Sequence, residues 1–200
     1  MIEGLRILPE YLSRERQRAL LSEILVAVEE APFYVPTLPR SGAAMSARMT
    51  NCGTLGWVTD AGGYRYEARH PVLDTPWPPV PRPLLDLWDA LAGYPARPEA
   101  CLVNLYGPEA RMGLHRDQDE EAMDAPVLSL SLGDDALFRM GGPSRRDPTR
   151  SFRLRSGDVL VLGGEARHCF HGVDRIYPGT SRLIPGGGRI NLTLRRVTRP

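Results

Sequence analysis

Hydrophobic and polar residues follow two different periods along the chain, and each period predicts a different kind of element. Apolar residues recur at helical spacing over residues 13–31 and 83–92, which predicts two amphipathic helices. Ser13 is a favoured N-cap residue, Pro32 ends the first helix, and Gly93 follows the second. The N-terminal part of the chain is therefore expected to contain two helices.

From residue 100 onward the period changes to two, which is typical of half-buried strands. Asn104 and Tyr106 share one face of the strand predicted over residues 100–106, and apolar residues occupy the other face. The further predicted strands are 127–132, 138–140, 151–155, 158–162, 169–173 and 189–197. Many short strands separated by Gly-rich turns predict an α+β fold that is mainly β, with a jelly-roll (double-stranded β-helix) core.

Between the two predicted helices, residues 33–82 are rich in Gly, Pro and aromatic residues. Short strand-like pieces such as Tyr64–Tyr66 indicate hairpins, and such a region is a natural place for a binding lid. The 200 residues contain 42% apolar residues and no long linker, which favours one domain over residues 1–200. We expect residues 1–99 to form the helices and the lid, and residues 100–200 to form the jelly-roll core.

Composition then excludes several chemistries. All 25 basic residues are arginine, so mechanisms that need a lysine amine are excluded. Codon bias explains most of that preference, although arginine also suits bidentate binding of carboxylate or phosphate. Residues 1–138 carry a net charge of −8 and residues 139–200 carry +9, a split that can mark a nucleic-acid-binding face.

Cysteine spacing and hydropathy indicate the cellular compartment in which the protein is expected. Cys52, Cys101 and Cys169 are far apart and form no Cys-x-x-Cys motif, so no disulfide framework is expected. No signal peptide and no membrane span are predicted. We therefore expect a cytoplasmic protein with no membrane partner.

The histidines supply a candidate metal site. His115 and Asp117 lie on the same face of an extended strand, and His171 follows 56 residues later on a predicted strand. Two histidines and one carboxylate form the facial triad that holds Fe(II) and leaves positions open for O₂ and a cosubstrate. Zinc is the alternative metal. His168 competes with His171 as the third ligand, and His70 is not expected to bind metal.

A second polar constellation lies on the last predicted strand. Arg189, Asn191, Thr193 and Arg195 alternate with apolar residues and so share one face. This face is either exposed to solvent or turned into the interior of the sheet structure. In the interior its two arginines would need anionic partners. Together with Asn104 and Tyr106, this face favours a pocket for a small dicarboxylate in which Arg195 acts as a bidentate clamp.

At this point the sequence resembles the bacterial AlkB family of Fe(II)/2-oxoglutarate-dependent dioxygenases. The resemblance rests on the segments NLYGPEARMGLHRDQDE, APVLSLSLG, SGDVLVLGGEARHCFHGV and RINLTLR. It extends upstream through AMSARMTNCGTLGWVTDAGGYRYE and PWPPVP, which are similar to the family's nucleotide-recognition lid. The motifs occur in the family's order over residues 45–197.

The resemblance implies iron ligation by His115, Asp117 and His171, which are thus the expected catalytic residues. It implies 2-oxoglutarate binding by Asn104, Leu105, Tyr106, Arg189, Asn191, Thr193 and Arg195, with Arg195 on the far carboxylate. O₂ and 2-oxoglutarate would be consumed, and a methyl group on a damaged base would leave as formaldehyde. The implied partner is single- or double-stranded DNA, and also RNA, carrying 1-methyladenine or 3-methylcytosine, bound by a monomer.

The implied substrate contacts are Met49, Trp57, Tyr64, Arg65, Tyr66, Asp119 and Arg145. Trp57 would stack on a cationic base opposite His115, and Asp119 would accept a hydrogen bond from the exocyclic amino group. Tyr64 and Tyr66 would contact the phosphate and sugar. Without the resemblance, the aromatic residues would be interpreted as lid core and the acidic cluster around Asp119 as a solvated loop.

Two other interpretations stay open at this stage. An oxygenase of the same scaffold acting on a protein or small molecule would keep the triad and the arginines but does not need Trp57 and Asp119. A binding module without catalysis would not need the triad. Departures from the family pattern at Asp134, Asp135 and Ile190 bear on the lesion range and leave the iron ligands intact.

Overall fold

Twelve strands and two α-helices make up residues 2–200, which are the residues described by the computed structural model. In chain order they are β1 (Leu5–Leu8), α1 (Arg14–Glu30), β2 (Arg48–Gly53), β3 (Gly56–Asp60), β4 (Gly63–Glu67), α2 (Arg82–Leu91), β5 (Ala100–Tyr106), β6 (Met112–His115), β7 (Val127–Gly133), β8 (Asp135–Met140), β9 (Arg150–Leu154), β10 (Val159–Leu162), β11 (His171–Tyr177) and β12 (Arg189–Arg195). A short 3-10 helix, Gly164–His168, precedes β11.

Ten of the twelve strands form two sheets that face each other. The larger sheet has six strands in the order β1-β10-β7-β12-β5-β2, and the smaller has four in the order β6-β11-β8-β9. Every pairing within them is antiparallel. From β5 to β12 the chain crosses from one sheet to the other at every step except from β8 to β9, which is the winding of a jelly roll. The predicted fold class is confirmed.

Strand alternation divides the interior into two layers. The apolar face of β12, with Ile190, Leu192 and Leu194, packs with the apolar faces of α1 and α2 on the outer side of the large sheet. The opposite face of β12 points between the sheets, where Tyr106, Phe138 and Met140 belong to a second apolar cluster. The polar residues of β12 share one face, as the period of two predicted, and this face lies inside the barrel rather than in solvent.

Both helices occur where their periodicity predicted them. The Ser13 side chain accepts a hydrogen bond from the backbone N–H of Arg16 and caps α1. The predicted strand at 169–173 begins only at His171, because the Cys169 N–H bonds to the Ala166 carbonyl and closes the 3-10 helix. His168 consequently lies on this short helix and is exposed.

Strand β2 was not predicted, because its sequence RMTNCG lacks an apolar alternation. Thr50 and Asn51 of this strand are nevertheless buried, since each has a partner. The Thr50 hydroxyl donates to the Ala31 carbonyl, and Asn51 exchanges two hydrogen bonds with the backbone of Trp57. Burial of polar side chains here depends on contacts between distant segments, which local periodicity does not show.

Strands β3 and β4 form a separate two-stranded hairpin, here called the lid hairpin (residues 56–67). The Asn51 amide holds its first strand, and the Trp77 indole N–H donates to the Glu67 carbonyl at the end of its second. A Cβ at Gly56 would lie 2.5 Å from the Trp77 ring, so only glycine fits there. The hairpin thus rests on a fixed base.

Three observations complete the account of cysteine, histidine and hydropathy. All three cysteines are buried free thiols. His70 is buried and bonded to the Pro32 carbonyl and to two backbone N–H groups, away from any metal cluster within residues 2–200. Neither α-helix has the length and apolar character needed to cross a membrane.

Candidate metal centre

Two neighbouring strands of the small sheet bring together the three predicted ligands. His115 at the end of β6 is the direct partner of His171 at the start of β11, and their ring centroids are 4.6 Å apart. Asp117 follows β6 by two residues, with its carboxylate oxygens 3.8 and 3.9 Å from the Nε2 atoms of His115 and His171. One ligand atom from each residue lies within 4.8 Å of the others.

The backbone orients both imidazole rings. Nδ1 of His115 lies 2.9 Å from the Gly113 carbonyl, and Nδ1 of His171 lies 3.1 Å from the Cys169 carbonyl. A carbonyl only accepts, so each Nδ1 carries the proton and the neutral ring presents a free lone pair at Nε2. Burial and the adjacent His115 lower the pKa of His171 to about 4, which keeps this ring neutral.

Arg195 secures the third ligand. Its Nη2 and Nε donate to the two Asp117 carboxylate oxygens at 2.9 and 3.3 Å, and both side chains are buried. Burial opposes ionisation of Asp117, but the Arg195 guanidinium outweighs it and holds the pKa of this carboxyl below its usual range. Asp117 is therefore an anionic ligand in a fixed orientation.

The sequence did not predict the buried ion pair of Arg167 and Glu120, which holds the backbone at Asp117. The buried Arg167 guanidinium donates to the Asp117 carbonyl, to the Ala125 carbonyl and, at 2.9 Å, to a Glu120 oxygen. It thereby binds the start, middle and end of residues 117–125, here called the acidic loop. The only signal in the sequence was an arginine on the 3-10 segment before His171, and its partner Glu120 was assigned to a solvated loop.

The second arginine of β12 occupies a different environment. Arg189 is 1% exposed, lies 5.5 Å from the Tyr106 ring centroid and donates from Nη2 to the Ser131 hydroxyl at 2.9 Å. Its Nε and Nη1 are buried without an acceptor among residues 2–200, as is Nη1 of Arg195. Burial lowers the pKa of Arg189, and these free donors fit a bound carboxylate.

The structure thus contradicts the expectation that Arg195 is the bidentate clamp for the far carboxylate of 2-oxoglutarate. Both terminal positions of β12 point inward, but the strand register places Arg189 beside Tyr106 and Arg195 beside Ala100. Arg195 is therefore at the Asp117 end, where it is already paired, and is not a free bidentate clamp. Arg189 has two unpaired donors and no carboxylate partner, whereas Arg195 keeps only Nη1 unpaired.

The remaining predicted pocket residues divide by strand face. Asn191 donates to the Ser129 hydroxyl and accepts from the Thr193 hydroxyl, so both are fixed inside the barrel near Asn104. Leu105 is a correction: its side chain packs into the cluster on the helix side of the sheet. Successive side chains in a strand point to opposite faces, so Leu105 cannot line the same pocket as its neighbours.

Comparison with known proteins agrees with this geometry. The model of the 2OG-Fe(II) oxygenase superfamily matches residues 4–195. The AlkB homolog of Caulobacter vibrioides (strain NA1000 / CB15N), an alpha-ketoglutarate-dependent dioxygenase, is 55% identical over 98% of this chain and 89% of its own length. The chain belongs to the AlkB family. Fe(II) is therefore its metal, and 2-oxoglutarate and O₂ are its cosubstrates.

Two further relatives extend the comparison beyond bacteria. The tRNA demethylase abh1 of Schizosaccharomyces pombe is 28% identical over 97% of this chain and 79% of its own length. The solved structure of OsALKBH1 superposes with a TM-score of 0.80 at 30% identity and covers 96% of each chain.

This AlkB-family chain carries an aromatic and acidic pair beside the metal centre. The indole N–H of Trp57 on the lid hairpin donates to a carboxylate oxygen of Asp119 at 2.8 Å, and Asp119 is exposed. Tyr64 stacks on the indole, with ring centroids 5.6 Å apart and an interplanar angle of 18°. Asp119 lies two residues beyond Asp117, so the pair sits at the entrance to the triad.

Two predicted substrate contacts, Tyr66 and Arg65, instead bond to acidic side chains of the protein. The Tyr66 hydroxyl donates to the buried Glu120 carboxylate, and burial raises the pKa of Tyr66. The Arg65 guanidinium pairs with both Asp60 oxygens and, at 2.7 Å, with Glu67. Both side chains already have strong partners, so neither is free to bind phosphate or sugar in this conformation.

The last two predicted contacts, Met49 and Arg145, differ in burial. Met49 is fully buried between the sheets, in the cluster against which Trp57 packs. Arg145 is exposed, lies 5.9 Å from the Phe170 ring centroid and donates at 2.6 Å to the carbonyl of Leu114, the residue before His115. Arg145 is therefore at the rim of the entrance.

Proposed function

We propose that this protein demethylates alkylated bases, 1-methyladenine and 3-methylcytosine, in single- or double-stranded nucleic acid, both DNA and RNA. The observation that carries the proposal is the Trp57–Asp119 pair beside the triad. An aromatic plane joined to an exposed carboxylate suits a flat cationic ring with an exocyclic amino group. The name of the fission-yeast relative, a tRNA demethylase, supports the same chemistry.

The lid hairpin supplies base recognition. Tyr64 covers one face of Trp57, so a base stacks on the other face, toward His115. Asp119 uses one oxygen for the indole N–H and keeps the second for the amino group of the base. Because methylated bases pair poorly, extruding one from a duplex costs less than extruding a normal base.

The jelly-roll residues bind the metal and the cosubstrate. His115, Asp117 and His171 hold the iron, and the unpaired donors of Arg189 bind the far carboxylate of 2-oxoglutarate with Tyr106 and Asn104 nearby. The free Nη1 of Arg195 serves the near end of the cosubstrate. When bound, Fe(II) and 2-oxoglutarate supply the oxidising chemistry: O₂ is consumed, succinate and CO₂ are released, and the methyl group leaves as formaldehyde.

Arg145 and Met49 complete the proposed substrate site. Arg145 lies at the rim, where a guanidinium meets the phosphates that flank an extruded base. Met49 lies behind Trp57 and maintains the shape of the pocket wall. We further propose that the enzyme acts as a monomer in the cytoplasm, which suits its buried free thiols.

The deciding experiment measures three products together. Protein reconstituted with Fe(II) is incubated with a 1-methyladenine oligonucleotide, 2-oxoglutarate and ascorbate, and formaldehyde, succinate and unmodified adenine are quantified. We expect equal amounts of all three, and none with Asp117→Ala. Succinate without formaldehyde and unmodified adenine would show that 2-oxoglutarate is decarboxylated without oxidation of this base, which would contradict the proposed substrate.

A further inference from the structure

A cavity of about 770 Å³ lies at the opposite end of the barrel from the metal centre. Four arginines line it, here called the distal basic pocket: Arg14, Arg18, Arg155 and Arg182. All four are exposed, and none of their guanidinium groups has a hydrogen-bond or ion-pair partner among residues 2–200. Four unpaired cations around one cavity form a site for a multiply charged anion.

The acids nearby do not neutralise this charge. Asp135 also lines the cavity, but its carboxylate already accepts from Arg153 at 2.7 Å. Glu10 is the other acidic lining residue and forms no ion pair with an arginine of the pocket. The pocket therefore retains an excess of positive charge.

The position of two of these arginines opposes helix stability. Arg14 and Arg18 lie four residues apart on one face of α1, and Arg14 is its first residue. Like charges at this spacing repel each other, and cations at a helix N-terminus oppose the helix dipole. A bound anion would remove both penalties and would also meet the free N–H groups of the first turn.

The floor of the pocket is rigid. Gln17 is 6% exposed, donates to the Leu12 carbonyl at 2.8 Å and accepts from the Ser156 hydroxyl at 2.6 Å. The same hydroxyl accepts from the Gly133 N–H at the end of β7. A Cβ at Gly157 would lie 2.4 Å from the Gln17 amide, so the floor is closely packed. The four arginines thus project from a preorganised base.

The distance from the metal centre indicates what the pocket binds. Strand β8 runs from Met140, the partner of His171, to Asp135 at the pocket. Five residues at about 3.4 Å each place the pocket about 17 Å along the strand from the triad. Phosphates in one strand of a duplex follow at about 3.4 Å of axis per nucleotide, so a pocket at this distance lies beyond the nucleotides that flank a lesion.

We propose that the distal basic pocket binds backbone phosphates of the substrate nucleic acid, several nucleotides away from the base in the active site. The proposal rests on the proposed function for its ligand, since only a nucleic-acid substrate reaches both sites. It gives the enzyme a second, sequence-independent binding site that adds affinity for long substrates.

The test compares substrate lengths and a matched charge control. Arg14→Gln/Arg18→Gln removes two charges from the pocket, whereas Arg16→Gln/Arg175→Gln removes two exposed, unpaired arginines that do not line it. For a 20-nucleotide single-stranded 1-methyladenine substrate, we expect the pocket variant to raise KM about 10-fold, with kcat unchanged. We expect a four-nucleotide substrate to be turned over equally by all three proteins.

Binding of an unmodified 20-nucleotide strand, measured by fluorescence anisotropy at several salt concentrations, keeps the test independent of turnover. We expect the plot of log K against log salt concentration to flatten by about 0.7 for each phosphate that the pocket variant no longer binds. Equal weakening by both double variants, or no weakening by the pocket variant, would overturn the proposal. So would selective binding of inorganic tripolyphosphate with unchanged DNA affinity, because the pocket would then serve a free polyphosphate. If only the pocket variant weakens binding but the wild type demethylates no base, the proposed function would be contradicted and the pocket would still be supported.

Discussion

At the scale of single residues, side chains on the same face of a strand bind different partners in the structure. Spacing predicted two of the metal ligands, because a two-residue separation on an extended chain brings His115 and Asp117 to one face; the choice of His171 over His168 came from the family resemblance. The same spacing rule placed Arg189 and Arg195 on one face but left open which of them lies at the metal. That choice depends on the register between β12 and β5, which the sequence of a single strand does not contain.

Arg189 leads to a prediction about stability. Its buried Nε and Nη1 lack acceptors, so the protein without cosubstrate carries an uncompensated charge. We expect Arg189→Met to raise the free energy of unfolding without cosubstrate by about 1 to 4 kcal/mol and to abolish stabilisation by 2-oxoglutarate. Wild type should gain about 2.7 kcal/mol when 2-oxoglutarate is at 100 times its Kd.

Urea unfolding with and without 2-oxoglutarate measures both effects. Arg189→Lys is the control, since it keeps the charge but loses the planar donors; it should leave the protein without cosubstrate no more stable than wild type. Stabilisation of Arg189→Met by 2-oxoglutarate equal to that of wild type would contradict the assignment.

Trp57 gives a second prediction at this scale. Stacking on an aromatic side chain contributes about 1 to 3 kcal/mol per base, so Trp57→Ala should weaken the affinity for a 1-methyladenine oligonucleotide by about 5- to 150-fold. Titration with Mn²⁺ should give an unchanged metal affinity, because Trp57 touches none of the ligands directly. Trp57→Phe keeps a ring but loses the bond to Asp119. Its affinity for the oligonucleotide should therefore lie between those of wild type and Trp57→Ala.

At the scale of elements, the acidic loop joins the metal centre to the lid hairpin. Its first residue is an iron ligand, Asp119 accepts from Trp57, and Glu120 accepts from Tyr66. The sequence predicted roles for Asp117 and Asp119 in this loop but none for Glu120, since acidic side chains are rarely buried. Glu120 is an exception because Arg167, distant in the sequence, neutralises it inside the fold.

The buried Arg167–Glu120 pair leads to a prediction that distinguishes the effect of an unpaired charge on stability from the effect of lost packing. Arg167→Met leaves Glu120 buried without its main partner and should destabilise the protein by about 3 to 5 kcal/mol. Adding Glu120→Gln removes that charge and should recover a large part of the loss. Urea unfolding of the two single variants and the double variant forms the cycle, and strictly additive losses would show that the pair is not coupled.

At the scale of the whole molecule, the large sheet is shared by two apolar layers. One layer contains α1 and α2, and the other fills the space between the sheets. Periodicity predicted the helices and most strands, because each has an apolar face of the right period. It did not show that β1 and β2 would add to the two edges of the same sheet, since such pairings join segments that are far apart in sequence.

The shared sheet supports the expectation of a single domain over residues 1–200 and makes it testable. Leu84 on α2 is fully buried against the sheet, so Leu84→Ala should cost about 2 to 5 kcal/mol. If the layers form one unit, calorimetry should show one transition that moves to lower temperature as a whole. Two resolved transitions, of which only the first moves, would divide the N-terminal region from the jelly roll.

The separate lid hairpin also has a consequence for the evolution of substrate range. A two-stranded sheet is only marginally stable by itself, and this one is held by Asn51, Trp77 and two acids of the acidic loop. Its residues can therefore be replaced as a unit without disturbing any ladder of the barrel. New lesion preferences can arise by exchange of about a dozen residues while the oxidising centre stays unchanged.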